Sequence, residues 1–214
     1  MKHVRMLVLA AATFLTLHKA DAQFSPRDFF EIAPASIFYT EDEMSAADKA
    51  AIIKHGFKTT KSFSCTAWGV AEETAESLML RHCKDSFVRI RVYTSPGQEP
   101  VVIVQSARSS GRATDLQFFR VKVGSKELFP IPHDKLATIG VEPVSENELV
   151  TEKDKFTESE VEKTSLILDD DGDLRANADT WMNPRWETRD IAYDVKFQWT
   201  GTRFQKRVLP LPVH

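Results

Sequence analysis

Only two of the 214 residues are cysteine, Cys65 and Cys83, and neither has a C-x-x-C neighbour. That spacing argues against a dithiol redox role. G-x-S-x-G, H-E-x-x-H, a Walker phosphate loop and G-x-G-x-x-G are all missing. The chain therefore carries no local signature of a hydrolase elbow, a zinc protease, a nucleotide triphosphatase or a dinucleotide fold. Long apolar runs are lacking too: Met6–Leu17 is too short to span a bilayer. Positive charge is neither abundant nor concentrated, since 28 basic residues face 31 acidic ones for a net charge of −3. Nucleic-acid binding needs a basic stripe, so that partner class is set aside.

What is present begins with an address. Lys2 and Arg5 precede the apolar run, and Ala20-Asp21-Ala22 supplies an A-x-A cleavage pattern before Gln23. Residues 1–22 read as a signal peptide, with no membrane span after its cleavage. No cysteine follows the apolar run, so a lipid-modified N-terminus is not supported. Shedding 1–22 removes three basic residues and one acidic residue, leaving 192 residues with a net charge of −5. The expected location is secreted or periplasmic, with a eukaryotic secretory route left open. In such an oxidising compartment a lone cysteine pair reads as a Cys65–Cys83 disulfide, the alternative being two buried thiols.

The stretch from Cys65 to Tyr93 organises the reading. Ala71, Ala75, Leu78, Met79 and Cys83 fall at helical spacing, with Glu72, Glu73 and Glu76 early and Arg81, His82 and Lys84 late. That stripe and that polarity suggest a helix pinned at its far end by the disulfide. Val88, Ile90 and Val92 then alternate with Arg89 and Arg91, the period of a half-buried strand.

The remainder is punctuated by turns. Phe24 to Tyr39, dense in aromatics and broken by Pro26 and Pro34, reads as an arm packed on the body. Ser45 with Asp48 forms a capping-box pattern, and Gly56 suits the residue after a helix, placing a short helix over Ala46–His55. Strands are expected at Phe87–Tyr93, Pro100–Gln105, Leu116–Val123 and Lys126–Phe129, with Gly124-Ser125 as a two-residue type II′ connection. Eight acids and few apolar residues mark 142–163 as an acidic linker or long loop. Ile191–Trp199 alternates cleanly and turns at Thr200-Gly201-Thr202 into Arg203–Val208. The segments around Asp115 and Asp190 rhyme, each with a preceding apolar strand, a glycine turn and a Pro-x-Pro end, so two related β-meanders are entertained.

Candidate sites are few. Trp181, Met182, Arg185 and Trp186 sit in a long connection between strands and have the composition of a contact surface, the alternative being rings that cap the sheet end. Arg108 and Arg112, in a loop with three serines and Gly111, could hold an anion. Asp169, Asp171 and Asp173 are carboxylates dense enough to consider calcium. An EF-hand register fails at Ile167 and Ala178, and a turn between Leu166–Leu168 and Leu174–Ala176 explains the cluster as well. His133, Asp134 and Ser109 are the residues from which a small hydrolase site would have to be assembled.

The fold expected is α+β: mainly antiparallel sheet, one or two short helices in the N-terminal half, and one disulfide. An N-terminal α+β portion at 23–141 and a C-terminal β portion at 164–214 would share one core. No catalytic residue, cofactor or metal is assigned. The function expected is recognition of a protein or glycan of the cell envelope, with a small secreted hydrolase as the competing class.

Overall fold

A computed structural model describes residues 23–40, 43–63, 65–83, 86–107, 114–159, 161–177 and 190–211. Among these residues ten strands form two antiparallel meanders, and three short helices lie in the N-terminal half. The first sheet orders β1 (Gly69–Glu73), β2 (Ser77–Cys83), β3 (Ser86–Tyr93), β4 (Val101–Ala107), β5 (Thr114–Lys122) and β6 (Glu127–Pro130) in sequence. The second runs β10 (Phe204–Pro210), β9 (Tyr193–Trp199), β8 (Leu174–Asn177) and β7 (Ser165–Leu168). No helix among the described residues is long and apolar enough to cross a membrane.

The first sheet is the middle of three layers, because its strands bury both faces. β4 is buried along its whole length. Val102 and Val104 join the core under the helices, whereas Val101 and Ile103 join the core facing the second sheet. Alternate residues of one strand thus feed two cores, which gives a continuous apolar run instead of an alternating one.

The aromatic arm supplies the helical layer. Its first part is α1 (Pro26–Ile32): Ser25 caps it, Pro26 stands at its first positions, and Asp28 closes a capping box. Pro26 therefore starts a helix there, since its missing N–H is one that a first turn leaves unpaired anyway. Phe29, Phe30 and Phe38 are fully buried, with Phe30 4.9 Å from Phe38 and Phe29 5.5 Å from Phe119 between ring centroids. Burying each such ring contributes roughly 1.5–3 kcal/mol. The Ser45–Asp48 capping box forms as expected at α2 (Ala46–Lys54), and Gly56 follows with φ +66°.

The helix expected over the Ala71–Cys83 stripe does not form. Those residues are β1, a turn and β2: the Thr74 N–H donates to the Ser77 carbonyl at 2.8 Å, and Thr74 Oγ1 accepts from the Ser77 N–H at 3.0 Å. Leu78, Leu80 and His82 face one way while Ser77, Met79 and Arg81 alternate with them, and both Leu78 and Leu80 are fully buried. A strand with apolar residues on both faces mimics a helical stripe over a dozen positions, and here pairing with β3 decides the outcome. The disulfide does form between Cys65 and Cys83. It ties the entry to β1 to the end of β2, so it staples the edge of a sheet and not a helix.

Smaller expectations also change. The β5–β6 connection is a four-residue loop, 123–126, with the αL position at Lys126 (φ +56°) and not at Gly124. A type I-based loop of four replaces the two-residue type II′ turn. β9 lies between β10 and β8, and the strand at Leu166–Leu168 pairs with β8 one place further out. The acidic segment 142–163 is a long irregular connection carrying two 3₁₀ turns. Of its five apolar residues, Val144, Leu149, Val150 and Phe156 are buried in the core between the sheets, and Val161 packs against them half-buried.

The sheets are locked together through the β7–β8 turn. Arg89 Nη1 donates to the Asp169 carbonyl at 3.2 Å, and Arg89 Nη2 meets Asp170 Oδ1 at 2.6 Å. Tyr93 Oη donates to the Gly172 carbonyl at 2.5 Å in a buried position. Burial, the largest effect, pushes the Tyr93 phenol well above its ordinary value near 10. The folded protein keeps this proton at pH values where the unfolded chain releases it, so stability falls as pH rises above about 10. Tyr93→Phe, at a cost of roughly 1 kcal/mol for the lost hydrogen bond, should flatten that alkaline slope in urea melts between pH 9 and 11.5. An unchanged slope would remove Tyr93 as its source.

Candidate functional site

The acidic turn is engaged by cations and backbone from its own fold. Asp169 Oδ1 accepts from the Asp173 N–H at 2.9 Å, while its Oδ2 lies 3.5 Å from Lys196 and 3.8 Å from Arg175. Asp173 Oδ2 accepts from Gln198 at 3.0 Å. Asp169, Asp171 and Asp173 therefore sit in a hairpin turn, and Asp169 and Asp173 use their oxygens to hold it. Among the described residues no three His, Cys, Asp or Glu side chains are grouped to hold a metal ion. The contact candidates Trp181, Met182, Arg185 and Trp186, the anion candidates Arg108 and Arg112, and Ser109 lie outside the described residues, as does the segment 1–22 read as a signal peptide.

A different surface emerges at the seam where β5 of the first sheet meets β7 of the second. A cleft of about 520 Å³ opens there. Four stretches build it: the start of β5, the 3₁₀ helix His133–Ile139, the irregular segment 141–144 and the entry to β7 at 163–166. Its inner wall is apolar, formed by Leu116, Leu136, Val141 and Val144, all buried, with Leu166 packed beside them. Asp115, His133, Asp134, Glu142 and Lys163 stand around it.

Local chemistry positions each wall. Pro132 precedes the 3₁₀ helix and fixes its entry, and Gly140 in the αL conformation (φ +87°) ends it. Leu136 and Ile139 point into the core, which leaves His133, Asp134 and Ala137 exposed along the cleft. Asp115 accepts a hydrogen bond from the Tyr39 hydroxyl, and Gln117 donates to the Ile37 carbonyl at 3.2 Å, so the aromatic arm braces the start of β5. On the opposite wall the Thr164 N–H and hydroxyl both bond the Val144 carbonyl, at 2.9 and 3.3 Å.

The cleft does assemble the ingredients of a hydrolase: a histidine, carboxylates, and the hydroxyls of Thr164 and Ser165. It does not connect them. His133 meets the Phe118 ring edge-on at 5.9 Å, and no hydrogen bond or ion pair reaches it among the described residues. The Thr164 and Ser165 hydroxyls donate to the carbonyls of Val144 and Asn177. Asp134 lies 3.8 Å from Lys135 in an exposed ion pair. Among the described residues no hydrogen bond links these hydroxyls to His133, or His133 to a carboxylate.

No known relative decides the matter. No protein-family model matches the chain, and neither a curated protein nor a solved structure is similar to it. The cleft was out of reach of sequence reading for a physical reason: its walls come from segments spread over about fifty positions, and none carries a local pattern. Of its lining, His133 and Asp134 alone stand out in the sequence as candidate site residues.

Proposed function

We propose that this chain is an exported, non-catalytic binding protein whose ligand seats in the cleft between β5 and β7. The observation that carries the reading is the pairing of an apolar inner wall with polar groups that converge on it without being wired into a relay. Small-molecule sites have this make-up, and about 520 Å³ falls within their usual range of roughly 300–1,000 Å³. Export rests on the leader-like pattern of residues 1–22 and agrees with a disulfide, which persists outside the reducing cytosol. The ligand is then one met in the cell envelope or beyond it.

A hydrolase remains the second reading, because His133, Asp115 and two hydroxyls share the cleft. The two readings separate on one experiment: amide-shift mapping with neutral aromatic fragments, run beside a panel of chromogenic esters. The binding reading expects shifts at the cleft walls and ester cleavage at the background rate. Turnover that His133→Ala abolishes would replace it.

A further inference from the structure

We infer that the ligand of this cleft is an extended apolar segment of another polypeptide chain, which adds as a strand to the open edge of β7; the inference rests on the binding reading above and deepens it. Charge does not select the ligand. Asp134 is matched by Lys135 and Glu142 by Lys163, and Asp115 is held by Tyr39 on the other face of β5 from Leu116. What the cleft offers instead is unpaired backbone.

Hydrogen-bond parity identifies it. In an antiparallel ladder alternate residues bond to the neighbouring strand, and those between them present N–H and C=O to the other side. The Asp169 N–H donates to the Asp173 carbonyl at 2.9 Å, so in the same register Ile167 bonds to Arg175 and Ser165 to Asn177. Leu166 therefore turns its N–H and C=O away from β8. Two residues earlier, Thr164 uses that outer edge. Its N–H donates to the Val144 carbonyl at 2.9 Å, and the Glu146 N–H donates to the Glu162 carbonyl at 3.0 Å, around the Ser145–Lys163 bridge. The next pair in that register, Glu142 with Leu166, makes no hydrogen bond. The two segments part at Pro143, and the cleft is the fork between them, lined by 141–144 on one side and 163–166 on the other. Among the described residues neither the Leu166 N–H nor its carbonyl has a partner.

An added strand supplies what the fork lacks. The ligand residue opposite Leu166 exchanges two backbone hydrogen bonds with it, and side chains directly opposite share a face of the sheet. Leu166 packs on the core between the sheets, so the ligand side chain at that position turns toward the buried wall of Leu116, Leu136, Val141 and Val144. Its neighbours in the ligand alternate outward and carry no such demand. Backbone bonds then give affinity and the wall specifies one apolar side chain, the division of labour of strand addition at a sheet edge. A cleft of about 520 Å³ suits a few residues of extended chain, not a folded partner.

Two peptides test this on the full, oxidised chain by amide-shift titration. One is Thr-Leu-Thr, acetylated and amidated so that it carries no charge; the other is the same peptide with the leucine nitrogen methylated, which removes one strand hydrogen bond and keeps the side chain. The expected result is saturable binding of the first, with the Leu166 amide among the shifted signals, and binding of the second weaker by about tenfold. Equal binding of the two peptides overturns the strand inference and leaves an apolar cleft, as does binding of neutral aromatic fragments with neither peptide. Peptide shifts confined to the other edge of this sheet, at β10, also overturn it. Binding of neither peptides nor aromatic fragments overturns the reading of the cleft itself and the inference with it.

Discussion

Gly140→Ala is expected to be the most damaging single methyl in the protein, lowering stability by about 4 kcal/mol. Two costs combine. Gly140 holds φ +87°, a left-handed conformation that ends the His133–Ile139 helix and costs an L-residue roughly 1–2 kcal/mol. A Cβ there would also lie 2.1 Å from the carbonyl oxygen of Phe204, a backbone atom that cannot rotate aside. Phe204 starts β10 and is buried against Tyr93 and Trp199, with ring centroids 4.8 and 5.1 Å away. Relieving the clash would lift β10 from the aromatic cluster. Gly201→Ala is the control: Gly201 has φ +90° but open space around its missing Cβ, so it should lose only the backbone cost. Urea melts of the two variants isolate the contact by difference. Equal losses would show that Phe204 yields easily and that this seam between the helix and β10 is soft.

Removing the Cys65–Cys83 bond should cost about 3 kcal/mol, on the order of 10 °C in Tm for a chain of this size. The bond closes a loop with a sequence separation of 18 and anchors the exposed entry to β1, the edge strand of the first sheet. β1 has one strand partner, β2, and its pairing is interrupted by a register shift between Val70 and Glu72. Apart from the buried Trp68 and Val70 and the Trp68 stack on His82, that edge is held by the Thr59–Val70 bridge and the Arg27–Glu73 ion pair. Cys65→Ser with Cys83→Ser, followed by thermal unfolding, measures the loss, and the intact mass of the unreduced protein should lie two hydrogens below the dithiol form. A double variant as stable as the parent would mean that β1 docks without its staple. Two alkylatable thiols in the native protein would remove the staple altogether.

The sequence announced its architecture best where local and tertiary demands agree. Arg89 and Arg91 alternate with three apolar residues, and β3 is a strand; Ser45 and Asp48 box the start of α2, and the helix starts there. The one covalent link followed from cysteine count and compartment. Legibility failed where tertiary burial overrode period. Leu78, Met79 and Leu80 are consecutive and all buried, which a helix stripe and a doubly covered strand both allow. Thr74 and Ser77, which make the turn, were the available signal and were outweighed by a favourable pattern of charge. Ser25-Pro26 with Asp28 was an equally readable helix start, obscured by treating Pro26 as a breaker. The acidic segment 142–163 is a long connection, yet four of its five apolar residues are buried, which average composition does not show.

The candidate site was barely legible at all. His133 and Asp134 stood out as titratable neighbours, yet Leu116, Val144 and Leu166, which give the cleft its apolar wall, look like ordinary core residues one at a time. Their meeting depends on the second sheet lying over β5, a relation of topology that no window of sequence contains. The turn at 169–173 was legible from Asp and Gly alone, whereas Arg89, Arg175, Lys196 and Gln198, which converge on it, come from distant strands.

The central claim is that this cleft binds and does not catalyse, and one measurement addresses it most directly. Backbone amide shifts of the oxidised chain are followed during titration with small aromatic fragments, while ester cleavage is monitored in the same samples. Saturable shifts confined to residues 115–116, 133–144 and 163–166 are expected, with cleavage at the rate of buffer alone. Shifts elsewhere with these amides unmoved, or turnover that depends on His133, would contradict it.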